Sequence, residues 1–590
     1  MRGPRPGLVL ALSLLTIAAA YSNALDVGFM WDDHTLIEQN PAAHQLTPLR
    51  AFFGRSFWAH PFAEGTSQGY FRPLIALSFA IDWALGDGSP VIFHLTNVLA
   101  HLLVCGLIFA LALRLKAHVV AAAVVTLGFG LFPRLTESVI WVVGRTDVFA
   151  AVFALGALWL ELARPGSPGR RVLVSLALLL GLFCKEVTIA VFVIIAAQSL
   201  ERYRTKVTTF RAEAIAAVPL VLAMVAFVVL RGQSGTTTRA VQLNDFGGAL
   251  NQLGHLVFLG LTPWFPNAQY GFVGSREGWA MLLGLAFLGG SAVLLWRGAW
   301  LWCGVLVSML SVTVPNLGYL TVTSDRFLYF PIALGGLLLA PRLTSSRAVV
   351  AIGLLAVSFA PATWVRNRDW ANPIRFWRVT VAQAAPENLG ARNGYADALL
   401  EAHRVDDALL EFRRLQSMNS PILKHSINLG ATVCVSIRGD DAQALRELAA
   451  LDQNKKRVAF DRPLFLARAL EFDAAREALQ PLEARFGRDE PLTLLEKAIS
   501  TASAGWAKAS TPLAKAKVYD GLGALGHAQQ EYERILASSD SSADDRRAAL
   551  AWLVIKAPLT RSGEALTQLE KEGAAEEVVT GLRAILEERQ

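Results

Sequence analysis

Charged side chains at the ends of long apolar runs are the residues whose chemistry most needs explaining. An ionisable group inside a membrane span costs roughly 2.5 to 3.5 kcal/mol on insertion scales, so its position carries a functional hypothesis by default. In chain order these groups sit in Trp31-Asp32-Asp33, Tyr70-Phe71-Arg72-Pro73, Glu137, Gly144-Arg145-Thr146-Asp147, Lys185-Glu186 and Ser324-Asp325-Arg326. A carboxylate beside Trp31 at an interface is partly desolvated and gains basicity, as a general base requires. The same pair also reads as an exposed acidic turn or an N-cap for a helix near Thr35. His94, Asn97 and His101 lie on one helical face, which must meet either neighbouring helices or a substrate cavity. Their spacing is too long for a compact two-histidine metal site.

The elements that must hold these groups are membrane helices. Of 590 residues 53% are hydrophobic and 17% charged, against about 25% charged in an average soluble domain. An ordinary soluble enzyme is excluded on that balance. The expected fold is all-α, a polytopic bundle over residues 1–363 followed by a soluble helical domain over 364–590. About eleven spans are read, near 7–24, 91–113, 118–133, 146–163, 171–184, 187–200, 213–230, 279–296, 299–314, 327–341 and 347–363. The segments 73–86 and 251–265 are ambiguous, and a large first exported loop covers 25–72. With Arg2 and Arg5 cytoplasmic, Arg114 and Lys116, then Arg164, Arg170 and Arg171, then Arg202, Arg204, Lys206 and Arg211, then Arg297, Arg342 and Arg347 fall on the same side. The acidic and basic motifs above then collect on the exported side. Residues 2–24 also read as a cleaved signal peptide, which leaves that orientation unchanged.

Residues 364–590 hold 31 Lys+Arg against 32 Asp+Glu, leaving 24 against 16 for the apolar half. Basic residues confined to short loops reflect membrane topology, so nucleic-acid binding is not expected. Cys105, Cys184, Cys303 and Cys434 are too scattered for a disulfide framework or a zinc site. The stretch from Ala396 to Pro421, with Leu399, Ala408 and Phe412, resembles a tetratricopeptide repeat. Weaker second helices appear at Ala475 with Leu479 and at Ala528 with Tyr532, and a capping helix is expected near 574–588.

Taken in order, Trp31-Asp32-Asp33 with Asn40, Tyr70 through Leu74, His94-Leu95-Thr96-Asn97 with His101, Thr136-Glu137-Ser138-Val139, Gly144-Arg145-Thr146-Asp147, Lys185-Glu186, Asp325 through Pro331, and Arg366-Asn367 with Trp370 resemble one family. It is the transmembrane and tetratricopeptide-repeat protein O-mannosyltransferases, within the GT-C superfamily, and the resemblance runs from about residue 25 to about 421. It implies an inverting membrane glycosyltransferase that takes a sugar, mannose in that family, from a polyprenyl-phosphate donor. The acceptor is a hydroxyl, such as Ser or Thr of an exported protein engaged by the repeats. The base would be Asp32 or Asp33, and Arg145, Lys185 and Arg326, with Arg72 next, would hold the donor phosphate. Glu137, Asp147, Glu186 and Asp325 would orient these cations or meet sugar hydroxyls, with His94, Asn97 and His101 in support. No metal site is indicated; a divalent ion on the acidic pair is conceivable but not expected from the superfamily. Pro133-Arg134-Leu135 departs from the animal members, which carry a His-Pro element before the Thr-Glu pair. Compact length and the absence of an endoplasmic-reticulum retention signal point to a bacterial inner membrane, with the N-terminus cytoplasmic and the repeats periplasmic. The other readings are a transferase acting on a lipid or cell-surface glycan, and a non-catalytic repeat scaffold for envelope assembly.

Overall fold

The computed structural model describes residues 5–58, 70–234, 246–268, 270, 277–313, 323–384, 388–418, 423–488 and 490–589. Pro421 of the repeat-like stretch and residues 59–69 of the first exported loop lie outside them. Among the described residues all regular structure is helical, and the chain divides into two units, Met1–Asn388 and Leu389–Gln590.

The first unit contains α1 (Pro6–Ala20), α2 (Leu49–Phe53), α3 (Pro73–Gly86), α4 (Pro90–Arg114), α5 (Val119–Gly130), α6 (Thr136–Ile140), α7 (Arg145–Ala163), α8 (Pro168–Leu182), α9 (Ile189–Arg204), α10 (Phe210–Gln233), α11 (Phe246–Leu261), α12 (Gly278–Trp296), α13 (Trp300–Thr313), α14 (Tyr329–Leu339), α15 (Ser346–Trp370) and α16 (Pro373–Gln383). Several start on proline at the first turn, where the missing N–H costs nothing and the fixed φ already suits a helix. Helix α4 shows how sequence sets orientation. Its Phe93, His94, Asn97, His101, Val104 and Cys105 are buried at helical spacing, whereas Leu95, Leu99 and Leu103 are exposed on the other face. Helix α10 repeats the pattern, with Ala216, Leu220, Ala223 and Phe227 inward and Val221, Leu222, Val225 and Val229 outward. An apolar outer face around a partly polar interior is the pattern of a helix bundle in lipid. Helices α11 and α12 touch through backbone, since a Cβ on Gly254 would lie 1.7 Å from the Ala280 carbonyl oxygen.

The span count of eleven is too high. Among the described residues six helices are long and apolar enough to cross a bilayer: 6–26, α4, α7, α10, α12 and α15. The pair α5 with 133–140, bent by 51°, makes seven if it is one broken span. The segments read at 171–184, 187–200, 299–314 and 327–341 form helices α8, α9, α13 and α14 of 15, 16, 14 and 11 residues. At 1.5 Å per residue these reach only about 16 to 24 Å, short of a core of about 30 Å. The unit boundary also falls later than residue 363. Helix α15 continues unbroken to Trp370, with the Asn367 amide donating to the Ala20 carbonyl (3.0 Å) and the Thr363 hydroxyl to that of Leu131 (2.7 Å).

The second unit comprises α17 (Leu389–Glu401), α18 (Val405–Ser417), α19 (Lys424–Ile437), α20 (Asp441–Ala449), α21 (Lys456–Arg468), α22 (Phe472–Phe486), α23 (Glu490–Lys508), α24 (Pro512–Gly521), α25 (Leu525–Ala537), α26 (Ala543–Lys556), α27 (Leu559–Lys571) and α28 (Glu576–Arg589). Sequence-adjacent helices pack as successive hairpins. Ala396, Leu399, Ala408 and Phe412 are buried in α17 and α18, as are Ala475 in α22 and Ala528 and Tyr532 in α25. The small residues let helix pairs approach while Leu, Phe and Tyr fill the space between them. From α28, Arg589 donates to the Ala402 carbonyl (3.2 Å) and accepts at its own carbonyl from Arg404 (3.2 Å), so the last helix reaches the turn after the first. A groove of about 970 Å³ opens within this unit, bordered by His403, Arg404, Arg438, Gln529, Gln530 and Lys556.

Candidate active site

The acidic loop is folded tightly onto the segment between α6 and α7. Trp31 adopts φ +56°, a left-handed conformation unfavourable for a bulky side chain. That turn sets Asp32 and Asp33 to different tasks. Asp33 is 1% exposed and spends both oxygens on backbone donors, the N–H of Met30 (3.1 Å) and of Val143 (3.0 Å). Asp32 is only half-buried. Burial pushes the Asp32 carboxyl up to about 6 while the Arg326 guanidinium pulls it down. Burial likewise raises Asp33 to about 7, against the Met30 and Val143 N–H groups that favour its charged form. Carboxylates poised near neutrality are suited to proton transfer, and Asp32 has the free oxygens to perform it.

Four cations from other segments pair with the remaining carboxylates, and one of them, Arg326, faces this loop. Arg326, just ahead of α14, pairs with Glu137 on α6 and donates its backbone N–H to the same carboxylate (3.0 Å). Its guanidinium carbon lies 5.1 Å from the centre of the Trp141 ring and 5.7 Å from that of Trp31. The two indoles stack at 4.8 Å. Lys185, between α8 and α9, holds Asp147 of α7 at 2.6 and 2.7 Å. Arg72, ahead of α3, faces Glu186 at 3.6 Å and covers the Tyr70 ring. Arg231 at the end of α10 meets Glu186 from the other side at 3.7 Å. The charges of Lys185, Arg72 and Arg326 act on one another, as do those of Asp32 and Arg326. Gly144 permits the fold of the connecting loop, because a Cβ there would lie 2.6 Å from the Glu137 carbonyl oxygen.

Not every expected residue joins the cluster. Arg145 has no exposed surface; it donates to Asn97 (2.8 Å), Ser78 (3.1 Å) and the Phe93 carbonyl (2.9 Å) and forms an ion pair with Asp82 (2.6 Å). It ties α3, α4 and α7 together instead of presenting a phosphate site. Asp325 is buried against Arg134 (3.0 Å), the Tyr270 hydroxyl (2.9 Å) and the Asn267 N–H (2.6 Å), so the cation it orients is Arg134 and not one of the four expected at the phosphate. Lys185 and Arg145 likewise choose Asp147 and Asp82 over their chain neighbours, since adjacent side chains do not face each other. The polar stripe of α4 meets protein: the Asn97 amide donates to the carbonyls of Val139, Trp141 and Val142, His101 contacts the Tyr329 hydroxyl (2.8 Å) and the Gly130 carbonyl (3.1 Å), and His94 the Gly28 carbonyl (3.4 Å).

Four participants escaped the sequence reading. Asp82 was detectable as a lone carboxylate in the apolar segment 73–86. Arg134 registered only as a departure from the family pattern, though it is the cation of the Asp325 pair. Arg231 and Trp141 carried no local signal. The Trp141 ring is 5% exposed and its indole N–H has no partner among the described residues, and the same holds for the buried hydroxyl of Ser138, three residues earlier in the chain. Among the described residues no group of three or more His, Cys, Asp or Glu could hold a metal ion.

No family model and no solved structure matches the chain. Curated proteins do. The chain is 36% identical over 146 residues to the protein O-mannosyl-transferase TMTC3 of Mus musculus, covering 25% of this chain and 16% of that protein. It is 32% identical over 157 residues to TMTC3 of Homo sapiens, covering 27% and 17%. With the protein O-mannosyl-transferase Tmtc2 of Drosophila melanogaster it shares 34% over 186 residues, covering 30% and 20%. The matched stretches span a fifth or less of these relatives, and over that length the chain is similar to protein O-mannosyl-transferases.

Proposed function

We propose that the protein is a membrane glycosyltransferase that transfers mannose, with inversion, from a polyprenyl phosphate to a Ser or Thr hydroxyl of an exported polypeptide. The observation that carries this reading is Asp32, whose oxygens accept no hydrogen bond among the described residues, facing the charge of Arg326, which also acts on Lys185 beside Arg72. In the reaction the acceptor oxygen attacks the anomeric carbon and its proton passes to Asp32. The bond from that carbon to the phosphate oxygen breaks, and the polyprenyl phosphate leaves with the electron pair. The leaving phosphate gains one negative charge as Asp32 loses one, so the charge of the site stays constant while it shifts toward the cations. Arg suits the phosphate by its fork and Lys by its compact charge.

The orientation that fits is an N-terminus in the cytoplasm, the cluster at the exported rim, and the second unit in the periplasm of a bacterial inner membrane. Its stacked hairpins read as degenerate tetratricopeptide repeats, with the groove beside Gln529 and Gln530 seating the acceptor. In membranes, Asp32→Asn should insert normally and lose transfer from mannosyl-phosphoryl polyprenol. Full transfer by that variant would overturn the assignment. Deleting 389–590 should abolish protein modification while sparing slow donor hydrolysis.

A further inference from the structure

The stacked pair Trp31 and Trp141 combines two costly features. Trp31 holds a left-handed backbone conformation, and Trp141 keeps an indole N–H buried without an acceptor. Buried polar groups are nearly always satisfied, so two orphans in one segment, the Trp141 N–H and the Ser138 hydroxyl, call for a partner that arrives with a ligand. The neighbours narrow the ligand. Arg326 lies over both rings, at 5.1 and 5.7 Å from their centres, and it belongs to the cations that face the leaving phosphate. In a sugar phosphate the sugar ring is one bond from the phosphate, so the sugar must sit beside those cations. Aromatic faces suit the C–H surface of a hexose, and an indole N–H suits one of its hydroxyls.

We infer that the Trp31 and Trp141 pair is the donor-sugar subsite, and that the Trp141 indole N–H donates to one hydroxyl of that sugar. This rests on the transferase reading above. Binding the sugar removes the unsatisfied donor, so a donor lacking that hydroxyl leaves the N–H orphaned and is rejected.

The test uses full-length protein in membranes with mannosyl-phosphoryl polyprenol and its singly deoxygenated analogues. Trp141→Phe should lower kcat/KM for the intact donor roughly 10- to 100-fold, the range expected when one buried hydrogen bond to substrate is lost. One analogue should lose the same factor on the wild type and none on the variant, with the pH profile of the rate unmoved. Any fall in thermal stability of the variant reflects the lost ring volume and not a lost hydrogen bond, so benzothienylalanine at position 141, which keeps the bicyclic ring, should unfold at the wild-type temperature. Equal kcat/KM for variant and wild type, or equal discrimination of every analogue by both, overturns the inference. Where Trp141→Phe fails to insert, benzothienylalanine at position 141 keeps the bicyclic ring without the N–H and gives the same reading. A wild type that transfers nothing from the intact donor overturns the parent reading instead.

Discussion

Helix α7 carries a buried charge cluster at each end, and the two are built on opposite principles. In its last turn Glu161 holds Arg171 at 3.0 Å; Arg171 also faces Glu213 at 3.4 Å, and Glu213 meets Arg202 at 3.1 Å. The Gly166 N–H and the Ser199 hydroxyl complete that network at 2.9 and 2.7 Å. Two cations answer two carboxylates and join α7, α8, α9 and α10. In its first turn Asp147 enters the other cluster, where Lys185 pairs with Asp147, Arg326 with Glu137, and Arg72 and Arg231 with Glu186. Asp32 faces Arg326 in this cluster and is the carboxylate that changes protonation in the proposed reaction. A cluster whose buried charges all answer one another is a fastening; one that keeps a carboxylate without a hydrogen bond beside its cations is set for chemistry.

Substitutions separate the two ends, beginning with the largest effect. Asp32→Asn should lower kcat on the order of 10²- to 10⁴-fold with unchanged thermal stability, measured by sugar transfer and by unfolding in detergent. Arg171→Gln at the far end should do the reverse. Breaking a buried pair costs about 3 to 5 kcal/mol, so folded yield should collapse while the surviving protein keeps its kcat. Arg326→Gln and Lys185→Gln fall between, with roughly 10- to 100-fold losses in kcat/KM that shrink when the polyprenyl group carries a better leaving phosphate analogue. The pH profile is a gentler probe. With Asp32 near 6 and its ionised form as the base, kcat/KM should rise about tenfold per pH unit below 6 and level off above it. Asp32→Glu, if active, should move that inflection, whereas Glu213→Gln should not. Glu186→Gln should have the smallest effect, under about fivefold in KM, because its pairs with Arg72 and Arg231 are long and partly solvated.

The chain revealed the long elements more readily than the short ones. Runs such as 91–113 and 347–363 match α4 and the start of α15 within a residue at the N-terminus, because hydropathy over twenty residues leaves little choice. Helices α8, α9, α13 and α14 were overcounted, since an apolar run of that length reads equally as a span or as a buried segment. The site was visible as a set of charged span ends but not as a set of pairs. Glu137 with Arg326 and Lys185 with Asp147 join residues far apart in the chain, and no local rule links them. Arg145 was misread for a related reason. Its burial depends on Asp82, Asn97 and Ser78 from two other helices, which only the packed bundle brings together.

The contact of Arg589 with the turn at Ala402 has a mechanical consequence for the second unit. A stack of hairpins ordinarily frays from either extremity, each outermost pair held by a single neighbour. Here the terminal helix clasps the opening one, and the same guanidinium also binds the Val554 and Ala557 carbonyls. Among the described residues one side chain thus ties α28 to the turn after α17 and to the end of α26, so fraying of α28 must first break these bonds.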